Sequence, residues 1–522
     1  MLSEDVAALT HRSPATLSLR SRQFLIIGAA LTGILALGLS FRAGALDLPL
    51  DRDEGSYAYI GANLTSGIVP YRDVIENKPP GIYVFYAFAT IGPDKVTSVR
   101  LATDVLFAAS MLLVFAITAR TYGRTAGLVA ALAMAALGNY YPLEAARANT
   151  EQIMLPILLV ALWSFQKGLD KGSLRWLVLS GFAGGAALLM KQVAVWPALA
   201  LLGFLALRAI NQRNWRRSTA EIGAMAAGIV VPLLATAIYF GALGLLDDLY
   251  DWVFRLNSLR IRQDWESGRA QLDNFDPILT LWTYVALGSL ILYPFLPRGK
   301  RGWHLLIVAW SLANLVGAKM GLRDFPHYFV PVLPGIAILA GAFISSVSHR
   351  LATLIRGGPW LRPALAIGVG MGLFAWQADD YVDFYFASTP TEMTITEFGA
   401  HGEQIFARSE EIASYVRATT EPEDEILVWA AEAQIYFLSE RRAATRYLTI
   451  ISVFDIIPDG VATIRADLLT RRPKVVVTYT EDSPPYRGSR SGLYELLADE
   501  GYVQRFQAGW LAVYRRSESP TP

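Results

Sequence analysis

FLIIGAALTGILALGLSF, residues 24–41, carries no charged side chain over a length of about 27 Å as a helix, which matches the hydrocarbon core of a bilayer. Reading outward from it decides the fold class. Comparable apolar runs recur at 101–118, 126–141, 152–165, 176–190, 193–207, 222–243, 278–295, 303–320, 328–347 and 363–376. They make about eleven expected membrane spans. The first run has no small-residue cleavage site and opens a long series, so it is expected to be a retained span rather than a signal peptide.

Orientation follows from the short connections, because Lys and Arg concentrate on the cytoplasmic side. Arg12, Arg20 and Arg22 precede the first span, and every second connection after it is basic: Arg120 and Arg124; Lys167, Lys171 and Arg175; Arg208, Arg213, Arg216 and Arg217; Arg298, Lys300 and Arg301; Arg350, Arg356 and Arg362. The segment 1–22 is therefore expected in the cytoplasm, with the long connection 42–100 on the outer side. An odd number of spans places everything after about residue 380 outside as well.

Composition agrees with a lipid environment. Of 522 residues, 53% are hydrophobic and only 17% charged, far from the balance of a water-soluble domain. A net charge of +1 excludes a nucleic-acid partner held by displaced counterions. The count of zero cysteines excludes disulfides, thiolate catalysis and cysteine-bound metals. The domains read from this are a cytoplasmic segment 1–22, a polytopic helical membrane domain 23–380, and an outer α/β domain 381–522. In the last, apolar runs shorten to strand length at 426–429, 475–479 and 510–514, alternating with helical stretches at 409–417 and 493–497. The terminal SESPTP reads as disordered.

Two outer loops hold an unusual density of acids. The first contains Asp51, Asp53, Glu54, Asp73 and Glu76 and runs into Lys78-Pro79-Pro80-Gly81; the second ends Arg147-Ala148-Asn149-Thr150-Glu151 at the mouth of a span. Carboxylates beside aromatics at a membrane boundary suit proton abstraction from a hydroxyl or amine, and a solvated charged loop is the plain alternative. Asp104, one helical turn from Arg100 inside the second span, is expected to pair with it at i, i+4. Lys191 sits on an outer hairpin against the inward bias of basic residues, and a lysine there calls for an anion or snorkels to headgroups. The glycines of Gly368-Val369-Gly370-Met371-Gly372 read as a helix-packing surface.

The Asp53-Glu54 pair after the first span, Lys78-Pro79-Pro80 before the second, the outer acid at Glu151, and the turn Arg323-Asp324-Phe325-Pro326-His327-Tyr328 resemble the GT-C class of membrane glycosyltransferases. Within it, the resemblance is to the family of protein O-mannosyltransferases and the lipid A aminoarabinose transferase. The resemblance implies transfer of one sugar from a polyprenyl-phosphate donor to a protein, lipid or glycan acceptor at the outer face of a bacterial plasma membrane, with inversion. It implies Asp53 as catalytic base, with Glu54 and Glu151 as further catalytic carboxylates, although relatives more often carry aspartate at the last position. It implies Lys78 as a ligand of the donor phosphate. Lys191, Arg255, Arg260, Arg323, His327 and Tyr328 reach the same face and are expected to join it, since a departing phosphate needs cations. Tyr57, Tyr59, Arg147 and Asn149 flank the carboxylates and are expected to bind substrate. An activated lipid-linked donor also fits the absence of a P-loop or dinucleotide fingerprint.

No cofactor is required by this reading. A divalent cation on Asp51, Asp53, Glu54 and Glu151 is the one that the residue types leave open, whereas the five histidines lack zinc spacing. The competing readings are a lipid-linked sugar flippase, which would favour internal repeats and broken helices at the midplane, and a GT-C oligosaccharide polymerase or ligase.

Overall fold

The computed structural model describes residues 19–212, 214–450, 457, 459–485 and 487–517. Arg12, most of the segment 1–22, Arg213 and the tail after Ser517 lie outside the described residues. Helices run in order as α1 Leu19–Arg42, α2 Arg52–Asn63, α3 Gly81–Ala89, α4 Lys95–Tyr122, α5 Arg124–Leu137, α6 Thr150–Lys171, α7 Leu174–Leu188, α8 Val195–Gln212, α9 Trp215–Ala242, α10 Leu246–Tyr250, α11 Leu256–Glu266, α12 Leu281–Gly288, α13 Arg298–Lys319, α14 Leu333–Leu354 and α15 Leu361–Asp379. Each apolar run of the sequence falls on one of these or on its 3-10 extension.

Among the described residues, six helical stretches are long and apolar enough to cross a membrane: Gln23–Ala45, Lys95–Tyr122, Thr150–Lys171, Gln192–Asn211, Trp215–Ala242 and Pro326–Leu354. Arg124–Leu137, Leu174–Leu188 and Leu281–Phe295 are apolar but shorter. α5 and α14 form the heart of the bundle; every residue from Ala126 to Leu137 is buried. At the periphery, Val230, Leu234 and Ile238 on α9 expose 51, 53 and 62% of their surface. Such apolar surface would promote aggregation in water and is at home in lipid.

Close helix packing comes from other glycines than those expected. A Cβ on Gly181 would meet the Met225 carbonyl oxygen at 1.9 Å, and one on Gly228 the Val178 carbonyl oxygen at 2.2 Å, so α7 and α9 touch backbone to backbone. Of the 368–372 run, only Gly370 faces a neighbour, Val129 and Leu132 of α5 at 3.4 Å; Gly368 and Gly372 meet nothing within 4 Å. The i, i+4 expectation for Asp104 is also corrected. Asp104 pairs with Arg42 at 3.2 Å, and Arg100 turns away to Glu54.

After α15 the chain builds a five-stranded sheet, β1 Glu425–Trp429, β2 Arg442–Ala443, β3 Val475–Tyr479, β4 Tyr502–Ala508 and β5 Leu511–Arg516, in the order β2-β1-β3-β5-β4. β2, β1 and β3 are parallel, and β5 pairs antiparallel with both β3 and β4. All five residues of β3 are buried, as expected of a parallel strand covered on both faces. β4 escaped the sequence reading because Gln504, Arg505 and Gln507 interrupt its apolar residues and most of the strand is exposed. The short helix Gln434–Ser439 that follows β1 rests on α2: a Cβ on Gly55 would lie 2.3 Å from Gln434 Cα, an approach that only glycine permits.

Candidate active site

The site begins with the way α2 starts. Asp51 is extended, and its carboxylate accepts the Glu54 N–H at 2.9 Å while Glu54 accepts the Asp51 N–H at 3.1 Å. This reciprocal cap fixes α2 from Arg52 onward and puts Asp53 and Glu54 in its first turn. The two neighbouring acids then diverge, since adjacent helical residues point about 100° apart.

Glu54 points inward and is fully buried. It accepts from both terminal nitrogens of Arg100, one at 2.9 Å, and from the Ala148 N–H at 2.6 Å, with Arg147 at 3.6 Å. Asp53 faces away from the bundle interior with 46% of its side chain exposed. It accepts the Tyr57 hydroxyl at 3.1 Å and lies 3.9 Å from Lys78 Nζ. Three carboxyls within four residues thus occupy three electrostatic settings. Burial, reinforced by the charge of Glu54, pushes Asp51 up to about 8. Burial opposes ionisation of Asp53 too, but Lys78, His327, the Tyr57 hydroxyl and Arg52 outweigh it and hold Asp53 below its ordinary value. Of the exposed and buried acids here, Asp53 is the one both ionised and reachable.

Lys78 is held by its own loop. Tyr71 and Tyr83 donate to its carbonyl at 2.7 and 3.1 Å, and Nζ donates to Asn77 Oδ1 at 3.0 Å, 5.5 Å from the Tyr57 ring. Burial disfavours its charge, yet Asp53 and Glu76 more than compensate and raise it above the usual lysine value. Asn257 on α11 donates to the Asn77 carbonyl at 3.0 Å, which ties α11 to this loop. Three residues on, Arg260 adds its field to Glu76, Lys78 and Tyr328. Among the described residues Arg260 forms no ion pair.

The second outer loop completes the bowl. Glu151, at the start of α6, contacts Lys191 and accepts the Thr150 hydroxyl at 2.7 Å. Lys191 lies 3.6 Å from the centre of the Tyr328 ring. Glu144, in the left-handed region at φ 51°, holds His327 Nδ1 at 2.8 Å and accepts from Asn149 at 3.1 Å. The anion that Lys191 calls for is therefore supplied by the protein itself.

Four expected site residues turn elsewhere. Arg147 is buried between Glu397 at 2.6 Å, the Pro49 carbonyl at 2.8 Å and Glu54. Tyr59 faces the C-terminal sheet, where its hydroxyl accepts the Ala443 N–H at 2.9 Å. Arg323 is clamped by both oxygens of Asp264 at 2.7 and 3.1 Å. Arg255 pairs with Asp251 at 3.2 Å on an exposed turn. Residues to which the sequence assigned no individual role are Glu76, counted only among the acids of its loop, Asn77 beside Lys78, and Glu144 in the second acidic loop. Their proximity to singled-out residues was the available signal. Among the described residues no three acidic or histidine side chains gather as a metal ligand set. Asp51 and Glu54 are spent on the helix cap and the arginines, and Glu151 on Lys191.

A family profile described as dolichyl-phosphate-mannose-protein mannosyltransferase matches residues 77–239. No curated protein matches the sequence. Among solved structures, ArnT from Cupriavidus metallidurans bound to undecaprenyl phosphate aligns over 95% of this chain and 98% of its own, at 17% identity and a TM-score of 0.57. The archaeal oligosaccharyltransferase AglB from Archaeoglobus fulgidus, in complex with an inhibitory peptide and a dolichol-phosphate, aligns over 96% of this chain and 75% of its own, at 12% identity and a TM-score of 0.54. The chain shares its overall fold with these two membrane proteins.

Proposed function

We propose that this protein is an inverting glycosyltransferase that moves one sugar from a polyprenyl-phosphate carrier to an acceptor at the outer face of the membrane. The observation that carries the reading is the pairing of an ionised, reachable Asp53 with Lys78 and the unpaired Arg260 in one bowl. Base and cations are what a single displacement needs: Asp53 takes the acceptor proton as its oxygen or nitrogen attacks, and Lys78 and Arg260 stabilise the phosphate that leaves. Tyr328, held by Lys191, stands beside them as a further hydrogen-bond donor to that phosphate. Glu54 and Glu151, already engaged by Arg100 and Lys191, act by positioning rather than by proton transfer. Solved relatives of this fold that hold undecaprenyl phosphate or dolichol-phosphate support the choice of carrier.

The tail has a place to lie. Past Lys78, a groove of about 500 Å³ runs between Val69, Pro80, Tyr83, Leu189, Tyr239 and Phe240 at the ends of α7 and α9. Its wall includes Tyr83, whose hydroxyl donates to the Lys78 carbonyl, and an apolar groove beside a cationic loop suits an amphiphile whose chain stays in hydrocarbon while its phosphate sits at the interface. The cytoplasmic bias of basic connections supports an outer position for this end of the bundle. A cysteine introduced at Ser491 is expected to react with an impermeant maleimide added to intact cells, and protection of that site would reverse the orientation.

Replacing Lys78 or Arg260 by Ala is expected to weaken polyprenyl-phosphate binding roughly 10- to 100-fold each, the range for a hydrogen bond to a charged group. Single-turnover transfer should fall further, because phosphate charge grows in the transition state. The check is lipid-phosphate affinity in nanodiscs alongside single-turnover rates. If neither quantity changes in either variant, the phosphate binds elsewhere and the assignment fails.

A further inference from the structure

The residue beside Asp53 on α2 points away from the bowl, into the C-terminal domain. Arg52 Nη2 lies 3.6 Å from Oε1 of Glu432, a fully buried carboxylate just after β1, and its guanidinium sits 5.6 Å from the centre of the Phe406 ring and in contact with His401. Glu432 is held from its other sides: the Tyr479 hydroxyl donates to it at 2.7 Å and Gln434 Nε2 at 2.9 Å. The Ala431 N–H donates in turn to Tyr479 at 3.1 Å. His401 Nε2 stands 3.6 Å from the same Glu432 oxygen.

This cluster is one of three anchors along a single face of α2. Arg52 meets Glu432, Gly55 packs on the backbone of Gln434, and the Tyr59 hydroxyl accepts the Ala443 N–H. Positions 52, 55 and 59 share a helical face, and Asp53 and Tyr57, four apart, share another. The first face is fixed to the C-terminal sheet while the second addresses the bowl. On its inner side α2 is held by Glu54 through Arg100 and the Ala148 N–H, and towards the C-terminal domain by these three anchors, of which the Arg52–Glu432 pair adjoins Asp53 in the chain. A buried ion pair with hydrogen bonds on both oxygens is directional, and such pairs are kept for specificity more than for stability.

We propose that Glu432 is a positioning residue for the transfer reaction: through Arg52 it sets the rotation of α2 and so the reach of Asp53, which makes the C-terminal domain part of the frame of the active site. The proposal rests on Asp53 being the base. It also carries an electrostatic signature. Asp53 faces Arg52, Asp51, Glu54 and Tyr57 on its own helix, Glu76 and Lys78 on the loop before α3, Tyr86 of α3, and His327 before α14. Arg52 is shared between this set and Glu432, so changing Glu432 is felt at Asp53.

The test compares Glu432→Gln, Arg52→Gln and a control, Arg471→Gln, in the full-length protein in nanodiscs. Arg471 forms a surface ion pair with Glu425 in the same sheet and touches nothing in the bowl. A panel of radiolabelled polyprenyl-phosphate pentoses and hexoses serves as donor, with native membranes as the source of acceptor. Glu432→Gln and Arg52→Gln are each expected to lower kcat roughly 10-fold or more, as a small misplacement of a base does, with donor KM within about 2-fold of wild type. The acid limb of kcat/KM should move in opposite directions. Loss of the Arg52 charge raises the Asp53 pKa and shifts the limb to higher pH; loss of the Glu432 charge leaves Arg52 uncompensated and shifts it to lower pH. Arg471→Gln should match wild type in all three quantities.

Normal kcat and an unmoved acid limb in both folded variants would reduce the cluster to a structural anchor and overturn the proposal. If Glu432→Gln does not fold, Arg52→Gln reads the same linkage from α2, and its normal kcat and limb would overturn it equally. Should wild type turn over no donor, or Asp53→Asn match wild type, the reading of Asp53 fails first and the proposal falls with it, a result distinct from active Glu432 variants on an active parent.

Discussion

Asp53→Asn is expected to lower sugar transfer by at least about 100-fold while leaving folding and donor binding intact, because it removes a general base and preserves shape. Asn retains an acceptor for the Tyr57 hydroxyl, which now lies 3.1 Å from the Asp53 carboxylate, so the first turn of α2 should persist. Steady-state turnover, thermal unfolding and polyprenyl-phosphate affinity measured on one preparation separate these effects. The pH dependence has a defined sign. Asp53 must be ionised to act, and its neighbours hold it below the ordinary carboxylate value, so wild-type transfer should persist through neutral and mildly acidic pH and fail only below that range. A loss of kcat/KM centred near pH 7 would point to a different base. Turnover by Asp53→Asn within a few-fold of wild type would remove Asp53 from the chemistry.

The adjacent residue should behave in the opposite manner. Glu54→Gln is expected to destabilise the protein by about 3–5 kcal/mol, the usual cost of removing one partner from a buried ion pair. Glu54 balances two guanidinium groups, Arg100 and Arg147, which are 2 and 0% exposed. With a neutral amide in its place, Arg147 keeps Glu397 as a counter-ion, but among the described residues Arg100 pairs with no other carboxylate and keeps the Leu48 carbonyl at 3.0 Å. The measurement is equilibrium unfolding in mixed micelles, where the variant midpoint should fall well below those of wild type and Asp53→Asn. Equal stability of the two variants would show that the Glu54 network contributes little, and the division of labour between the two acids would not hold.

What was readable in the sequence follows from how locally each signal is written. Membrane spans are local, since each needs a run of apolar residues long enough for lipid, and the runs lie on helices. The KPP loop and the acid pair were equally local and drew attention to Asp53, Glu54 and Lys78. The pairings among them were not. Arg100 is four residues from Asp104, so local spacing paired them; Glu54, 46 positions earlier, takes Arg100 because it is fully buried and needs a close counter-charge. Arg147 meets Glu397 across 250 residues, and Arg52 meets Glu432 across a greater span, with no periodic pattern to announce either. Arg147 and Tyr59, expected beside the substrate, meet Glu397 and Ala443 for the same reason: these partners lie in the C-terminal part of the chain. The glycine run at 368–372 packs only in part, since Gly370 lies against α5 while Gly368 and Gly372 meet nothing within 4 Å, and sequence does not show which side of a helix another helix covers.

The central claim is that sugar leaves a polyprenyl phosphate here by a reaction that Asp53 drives. The most direct measurement follows the carrier by mass spectrometry in nanodiscs loaded with the panel of polyprenyl-phosphate sugars and supplied with acceptor from native membranes. Wild-type protein should convert one member of the panel to sugar-free polyprenyl monophosphate, in step with the appearance of glycosylated acceptor, and Asp53→Asn should do neither. Carrier that stays fully glycosylated with wild type across the panel, or carrier consumed equally by both proteins, would contradict the account.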